Sequence, residues 1–128
     1  MVLLLELPVP PPQSAYYGMT STVASGGQSR PIVYISAVGR TYRKRVANVL
    51  KYMKYDRTPM LGRIKVQVIF HFETKRACDL DNRLKCLFDT LTHSVVWGDD
   101  DQVDEIHVTR GEKRPGGVCF VQIEEMET

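Results

Sequence analysis

The segment of residues 64–72 carries an apolar side chain at every second position, and this pattern constrains the fold more than any other in the sequence. A period of two is typical of a β-strand with one buried face, because successive side chains point to opposite sides of a sheet. We therefore predict a strand here, with neighbouring strands and a covering layer. The apolar members are Ile64, Val66, Val68, Phe70 and Phe72.

A helix with an acidic end is predicted after this strand. Its apolar stripe recurs at steps of four, three and four residues, as expected for the buried side of a helix. A second face repeats every four residues and carries Asp81, Lys85 and Asp89, while Asp79 lies where the helix begins. Asp79 could cap backbone N–H groups at the start of the helix, or its carboxylate could bind a metal ion. The stripe consists of Leu80, Leu84, Leu87 and Leu91.

The remaining elements complete an α+β pattern. Ser36 is a good N-cap for a further helix that runs to about Tyr55. The order β, β, α, β, α, β, β predicts an α+β (α/β-like) fold with two helices on a mixed sheet of about four to five strands. At 128 residues the chain fits a single domain, residues 1–128. The further strands are predicted at residues 2–7, 32–35, 103–109 and 118–123.

Two details of packing follow from the same patterns. Residues 118–123 are apolar on both faces, which favours a central strand, and the glycine-rich connection before them predicts a hairpin with residues 103–109. The helix after Ser36 is predicted to bury one apolar face. That face comprises Val38, Tyr42, Val46, Val49, Leu50 and Met53.

Residues 13–30 are rich in Ser, Thr, Gly and Tyr and show neither helical nor strand periodicity. We predict that they form the longest loop, and long loops are usually functional. Tyr16 and Tyr17 could stack on exposed nucleic-acid bases. Alternatively, these aromatic side chains hold the loop against the core.

Composition and motif content exclude several classes of protein. Three cysteines without a CxxC pair argue against a disulfide framework or a zinc ribbon and indicate reduced thiols in a cytoplasmic protein. The apolar residues 1–5 are followed by Glu6 and are too few for a signal peptide or a membrane span. The sequence contains no glycine-rich phosphate loop, GxSxG or HExxH motif, so it predicts no nucleotide cofactor.

Charge is distributed unevenly along the chain. Residues 79–105 carry eight acidic and two basic side chains, whereas the rest carries fifteen basic and seven acidic ones. A basic cluster of this kind can be a solvated helix face. Beside an acidic cluster it also fits a polyanion such as nucleic acid, with metal ions neutralising the carboxylates. The cluster comprises Arg40, Arg43, Lys44, Arg45, Lys51, Lys54 and Arg57.

Two acidic stretches supply oxygen ligands for a hard divalent cation. The first contains Asp79 and Asp81, and the second is the run Asp99, Asp100 and Asp101. Carboxylates are the side chains that Mg²⁺ prefers. A metal site therefore forms if the fold brings these two stretches together.

Several motifs together resemble the RusA family of Holliday-junction resolvases. The strongest are DLDN at residues 79–82 with Lys85, FDTL at 88–91, and WGDDDQV at 97–103. LPVPP at 7–11 and the tyrosine pair at 16–17 extend the resemblance over almost the whole chain. Two short segments differ from the family pattern: residues 77–78 are Ala and Cys where arginines are common, and residues 13–14 are Gln and Ser where an asparagine is usual.

The resemblance implies an enzyme and its site. By position, the catalytic carboxylates fall on Asp79, Asp81 and Asp100, which would bind Mg²⁺ or substituting Mn²⁺, and the catalytic lysine falls on Lys85. The acid of the 99–101 run is assigned to within one place. The resemblance further implies a homodimer, encoded by a bacterium or a phage, that nicks opposed strands of four-way junction DNA symmetrically in recombination and repair.

Two other functions stay open from the sequence. One is a related nuclease that prefers flaps or forks, and the other is a junction-binding module with weak or no catalysis. For any of the three, the predicted DNA contacts are Arg43, Lys44, Lys51, Lys75, Arg76, Tyr16 and Tyr17.

Overall fold

The computed structural model describes residues 2–23, 27, 29–56, 58–74 and 79–126. A short 3₁₀ helix, Asp100–Gln102, precedes the fifth strand. The other elements, in chain order, are β1 (Val2–Leu7), α1 (Gln13–Tyr16), β2 (Tyr17–Val23), β3 (Ser29–Ile35), α2 (Ala37–Tyr52), β4 (Ile64–His71), α3 (Asp81–His93), β5 (Val103–Arg110) and β6 (Val118–Glu125).

A four-stranded mixed sheet in the order β1-β6-β4-β5 forms the centre of the fold. β5 pairs parallel to β4, and the other two pairings are antiparallel. A parallel pair needs a crossover connection, and α3 provides it. The predicted α+β architecture with a mixed sheet is therefore confirmed, as is the central position of β6.

The predicted hairpin between the last two strands is wrong. β5 and β6 lie on opposite sides of β4 and do not pair with each other. The glycine-rich connection was typical of a tight turn, but it carries the chain across the end of β4. Gly116 and Gly117 in this connection have φ values of 78° and 69°, which glycine adopts without strain.

β4 buries the face that its alternation predicts. Ile64, Val66, Val68 and Phe70 are each at most 1% exposed, and they pack in one core with α2, α3 and β6. The predicted leucine stripe of α3 also faces this core: Leu87 and Leu91 are fully buried, and Leu80 and Leu84 are partly buried against it. Cys86 and Cys119 are buried free thiols, while Cys78 lies outside the described residues.

α2 begins as predicted, with the N–H of Gly39 donating to Ser36 Oγ at 3.0 Å. It buries Tyr42, Val46 and Leu50. The prediction is wrong for Val38 and Met53, whose side chains are 51% and 42% exposed. Gly39 instead of Val38 faces inward in the first turn, where a Cβ would lie only 2.5 Å from the carbonyl oxygen of Tyr16.

Residues 13–30 do not form the predicted long loop. They contain α1 and β2, and β2 pairs antiparallel with β3, from Tyr17 opposite Ile35 to Val23 opposite Ser29. Met19, Val33 and Tyr34 on this two-stranded ribbon are exposed. Backbone pairing holds the ribbon together, so its strands carry no apolar alternation that the sequence could reveal. Among the described residues, no helix is long and apolar enough to span a membrane.

Candidate active site

The N-terminal end of α3 presents two exposed carboxylates, those of Asp79 and Asp81. The helix begins at Asp81, and its N-cap is Leu80, which makes no capping hydrogen bond. Leu80 has helical backbone angles (φ −64°, ψ −45°), so Asp79 lies directly before the first helical residue, and its capping role stays a prediction. Asp81 lies in the first turn, where the helix dipole favours a negative charge.

Lys85 follows Asp81 by one turn and forms an ion pair with Asp89. Its Nζ lies 3.0 Å from Asp89 Oδ1, and the Lys85 side chain is 56% exposed. A pair of this spacing on a helix surface contributes about 0.3–0.5 kcal/mol to stability. The contact leaves most of the lysine side chain in solvent.

Asp100 is held against the C-terminal end of α3 by two side chains. Thr92 donates a hydrogen bond from its hydroxyl to Asp100 Oδ1. The indole Nε1 of Trp97 donates to the same oxygen at 3.1 Å and to Thr92 Oγ1 at 2.6 Å. Trp97 is fully buried, with its ring edge-on to Phe88 at 5.5 Å. The buried indole therefore fixes one oxygen of the Asp100 carboxylate.

Asp89 connects the lysine to Asp100. Burial raises the pKa of Asp89 to about 6, and the negative charge of Asp100 and a hydrogen bond with it act in the same direction. Lys85, Asp89 and Asp100 thus form one polar network along α3. The four-residue spacing of Lys85 and Asp89 puts them on one helix face, but the sequence carried no signal for the interaction with Asp100, which lies beyond the end of the helix.

The three carboxylates of residues 99–101 point in different directions. Asp99 caps the 3₁₀ helix, accepting from the N–H of Asp101 at 2.8 Å. Asp101 is 90% exposed, beside Arg63 at 3.7 Å. Gln102 closes the turn by accepting from the N–H of Asp99 and donating to backbone carbonyls of residues 60 and 62. Of the three, Asp100 is the acid that contacts α3.

The described residues contain no group of three or more His, Cys, Asp or Glu side chains arranged to hold a metal ion. Asp81 precedes Asp89 by eight residues, which corresponds to about 12 Å along a helix. The structure thus brings together Lys85, Asp89 and Asp100, and it does not bring Asp79 and Asp81 into that network. The donor set consists of carboxylates, which fit Mg²⁺ in chemical type. The predicted metal site stays a prediction.

Tyr16 is a core residue, so its predicted stacking on DNA bases is wrong. The side chain is fully buried, and its hydroxyl lies 3.2 Å from Thr90 Oγ1 and accepts from Arg43 Nε at 2.7 Å. Tyr17 is half-buried, with its ring edge-on to Tyr16 at 4.7 Å. The alternative, in which these aromatic side chains pack this segment against the core, is confirmed for Tyr16.

The predicted basic contacts differ in their surroundings. Arg43 is partly buried and also contacts His93 Nδ1 at 3.3 Å through its guanidinium, so it holds α2 to α1 and α3. Lys44 and Lys51 are exposed on α2. Lys75 and Arg76 lie outside the described residues.

Comparison of the sequence with known proteins identifies the family of this chain. The family described as Endodeoxyribonuclease RusA matches residues 8–124. The chain is 38% identical over 122 residues to a crossover junction endodeoxyribonuclease of Enterobacteria phage HK97, covering 95% of this chain and 93% of the relative. With the same coverage it is 33% identical to that of Enterobacteria phage 82 and 32% identical to that of Escherichia coli K12. The chain therefore belongs to the RusA family of endodeoxyribonucleases, enzymes that cleave DNA.

Proposed function

We propose that this protein is a Mg²⁺-dependent endodeoxyribonuclease that resolves four-way DNA junctions by paired, symmetrical nicks, in recombination and repair. The observation that carries the proposal is the network of Lys85, Asp89 and Asp100, because it joins two of the residues that match the family's catalytic motif. The names of the similar proteins, crossover junction endodeoxyribonucleases, support the junction as substrate.

The metal ligands in this proposal are Asp79, Asp81 and Asp100. Mg²⁺, or Mn²⁺ in its place, would supply a Lewis acid that lowers the pKa of bound water and neutralises charge at the phosphate. Carboxylates repel one another at close range unless a cation neutralises them, so their convergence is expected to accompany metal binding. Asp79 and Asp81 form the first of the two acidic stretches in the sequence, and Asp100 belongs to the second.

Lys85 acts on the phosphate in this proposal. Its ammonium group is mostly exposed and lies one turn from Asp81, so it can reach a DNA backbone that approaches the same side of α3. A cation held there favours the developing negative charge of the transition state. Asp89 orients the lysine through the 3.0 Å contact.

The DNA backbone is proposed to contact exposed lysines of α2, Lys44 and Lys51, with a second copy of the chain serving the opposed strand. A homodimer places two equivalent sites on a symmetrical junction. Light scattering of the purified protein tests the dimer. A monomer that still makes paired nicks would contradict this part of the proposal.

The central experiment compares labelled four-way junction, flap and duplex DNA, each in Mg²⁺ and in EDTA. Paired symmetrical nicks in the junction that require Mg²⁺ support the proposal. Preferential flap cleavage indicates the flap nuclease, and binding without nicks indicates a binding module. Asp100→Asn should abolish nicking, whereas the matched control Glu105→Gln, an exposed carboxylate on β5, should nick at the wild-type rate.

A further inference from the structure

We propose that Thr92 and Trp97 are positioning residues that orient the Asp100 carboxylate for the divalent cation. This inference rests on the proposed function, in which Asp100 is a metal ligand. Thr92 and Trp97 belong to neither the acidic nor the basic groups predicted from the sequence.

The hydrogen-bond directions in this cluster are fixed by chemistry. An indole nitrogen only donates, so Trp97 Nε1 supplies its proton to Thr92 Oγ1 at 2.6 Å and to Asp100 Oδ1 at 3.1 Å. The Thr92 hydroxyl has one proton, which it donates to Asp100 Oδ1. Both donors thus converge on one carboxylate oxygen, and together they determine the rotation of the Asp100 side chain.

The two side chains behind Asp100 are held by contacts of their own. Trp97 is fully buried, packs edge-on against Phe88, and forms an isolated parallel β-bridge with Met60. Thr92 lies in the last turn of α3 and is partly buried. Outer groups that hydrogen-bond a ligating carboxylate set its orientation, and their loss typically weakens metal binding by 10–100-fold.

A purely structural role is the competing explanation, because the same contacts join the Trp97 segment to α3. The two explanations differ in what a small change at Thr92 does. Thr92→Val keeps the shape and removes the hydroxyl, whereas Thr92→Ser keeps the hydroxyl. A positioning role predicts a loss of metal affinity in the first variant and its recovery in the second, with folding retained in both.

The single tryptophan of the sequence is Trp97, which makes metal binding directly observable. Excitation at a wavelength that selects tryptophan, during titration with Mn²⁺, should give saturable quenching in the wild-type protein. We expect the Kd for Mn²⁺ to rise at least tenfold in Thr92→Val and to stay within about twofold in Thr92→Ser. Thr109→Val, the same change at an exposed site on β5, is the control and should leave the Kd unchanged.

The Mg²⁺ dependence of DNA nicking provides a second measurement. In Thr92→Val the Mg²⁺ concentration for half-maximal nicking should rise, while the maximal rate at saturating Mg²⁺ and the junction affinity in EDTA stay close to wild type. Wild-type Mn²⁺ affinity in Thr92→Val, together with lost affinity in Asp100→Asn, would overturn the positioning role and leave the metal assignment intact. Wild-type Mn²⁺ affinity and nicking in Asp100→Asn would instead overturn the metal assignment itself.

Trp97→Phe keeps an aromatic ring and removes the N–H donor together with the pyrrole part of the indole, so it tests the proposal even if Thr92→Val fails to fold. Because this variant lacks the fluorophore, its Mn²⁺ affinity is measured by calorimetry beside that of the wild type. At least tenfold weaker binding supports the positioning role, and unchanged binding overturns it.

Discussion

Lys85 Nζ lies 3.0 Å from Asp89 Oδ1, one helical turn further along α3. The Asp89 carboxyl also interacts with that of Asp100, whose negative charge helps to raise the pKa of Asp89. This relationship connects a helix-surface cation to an acid on the following 3₁₀ helix. The two exposed acids at the start of α3, Asp79 and Asp81, lie outside this network.

Asp81→Asn is expected to abolish junction nicking in Mg²⁺ while junction binding in EDTA stays equal or becomes tighter. The reason is that the change removes an anion that would face the DNA phosphates, together with a metal ligand. Single-turnover nicking and a gel-shift titration measure the two properties. Undiminished turnover would remove Asp81 from the mechanism.

Lys85→Ala is expected to lower the single-turnover nicking rate by about 100-fold, because a cation near the phosphate stabilises transition-state charge. The free energy of unfolding should change by no more than about 0.5 kcal/mol, the contribution of an exposed i,i+4 pair. Urea denaturation and nicking are measured on the same preparation. Lys113→Ala, an exposed lysine before β6, is the control. A rate equal to that of the control would contradict a role for Lys85.

Asp89→Asn is expected to stabilise the protein more at pH 7.5 than at pH 4.5. Because the pKa of Asp89 is about 6 in the folded protein and about 3.9 in an unfolded chain, the folded state binds more protons between these values. Stability therefore falls as pH rises through this window. The amide of the variant does not titrate, so the variant avoids this loss of stability, which is about 1 kcal/mol after allowance for the partial exposure of Asp89. Urea denaturation in EDTA at the two pH values measures it, and equal effects would contradict the raised pKa.

Tyr16→Phe is expected to destabilise the fold by about 1–2 kcal/mol, because it removes a buried hydroxyl that accepts from Arg43 and contacts Thr90. Junction affinity, measured well below the unfolding temperature, should stay unchanged. Thermal unfolding and a gel-shift titration give the two values. Weaker junction binding with unchanged stability would restore a DNA contact for Tyr16.

Lys44→Gln and Lys51→Gln are each expected to reduce the dependence of junction affinity on salt concentration, by about one unit of slope for a lost phosphate contact. Lys65→Gln is the control, since Lys65 alternates with the buried Ile64 and Val66 and so lies on the opposite face of the sheet. Binding titrations at several salt concentrations measure the slopes. Equal slopes in all three variants would place the DNA elsewhere.

The sequence by itself determined the elements that have a strong period and the family to which the chain belongs. Alternation defined the buried face of β4, leucine spacing defined that of α3, and the motifs around Asp79 and Asp100 identified the family. These features are local, because a period reports which face of an element is buried.

Only the tertiary structure decided which elements and residues pack against each face of a helix or strand. It placed β5 parallel to β4 and β6 on the other side, buried Tyr16 beneath Arg43, and brought Asp100 to Thr92, Trp97 and Asp89. It also paired β2 with β3 through backbone hydrogen bonds, which leave no apolar pattern in the sequence. The physical reason is that a contact between residues far apart in the chain depends on how the elements pack, and the period of one segment does not specify its partner.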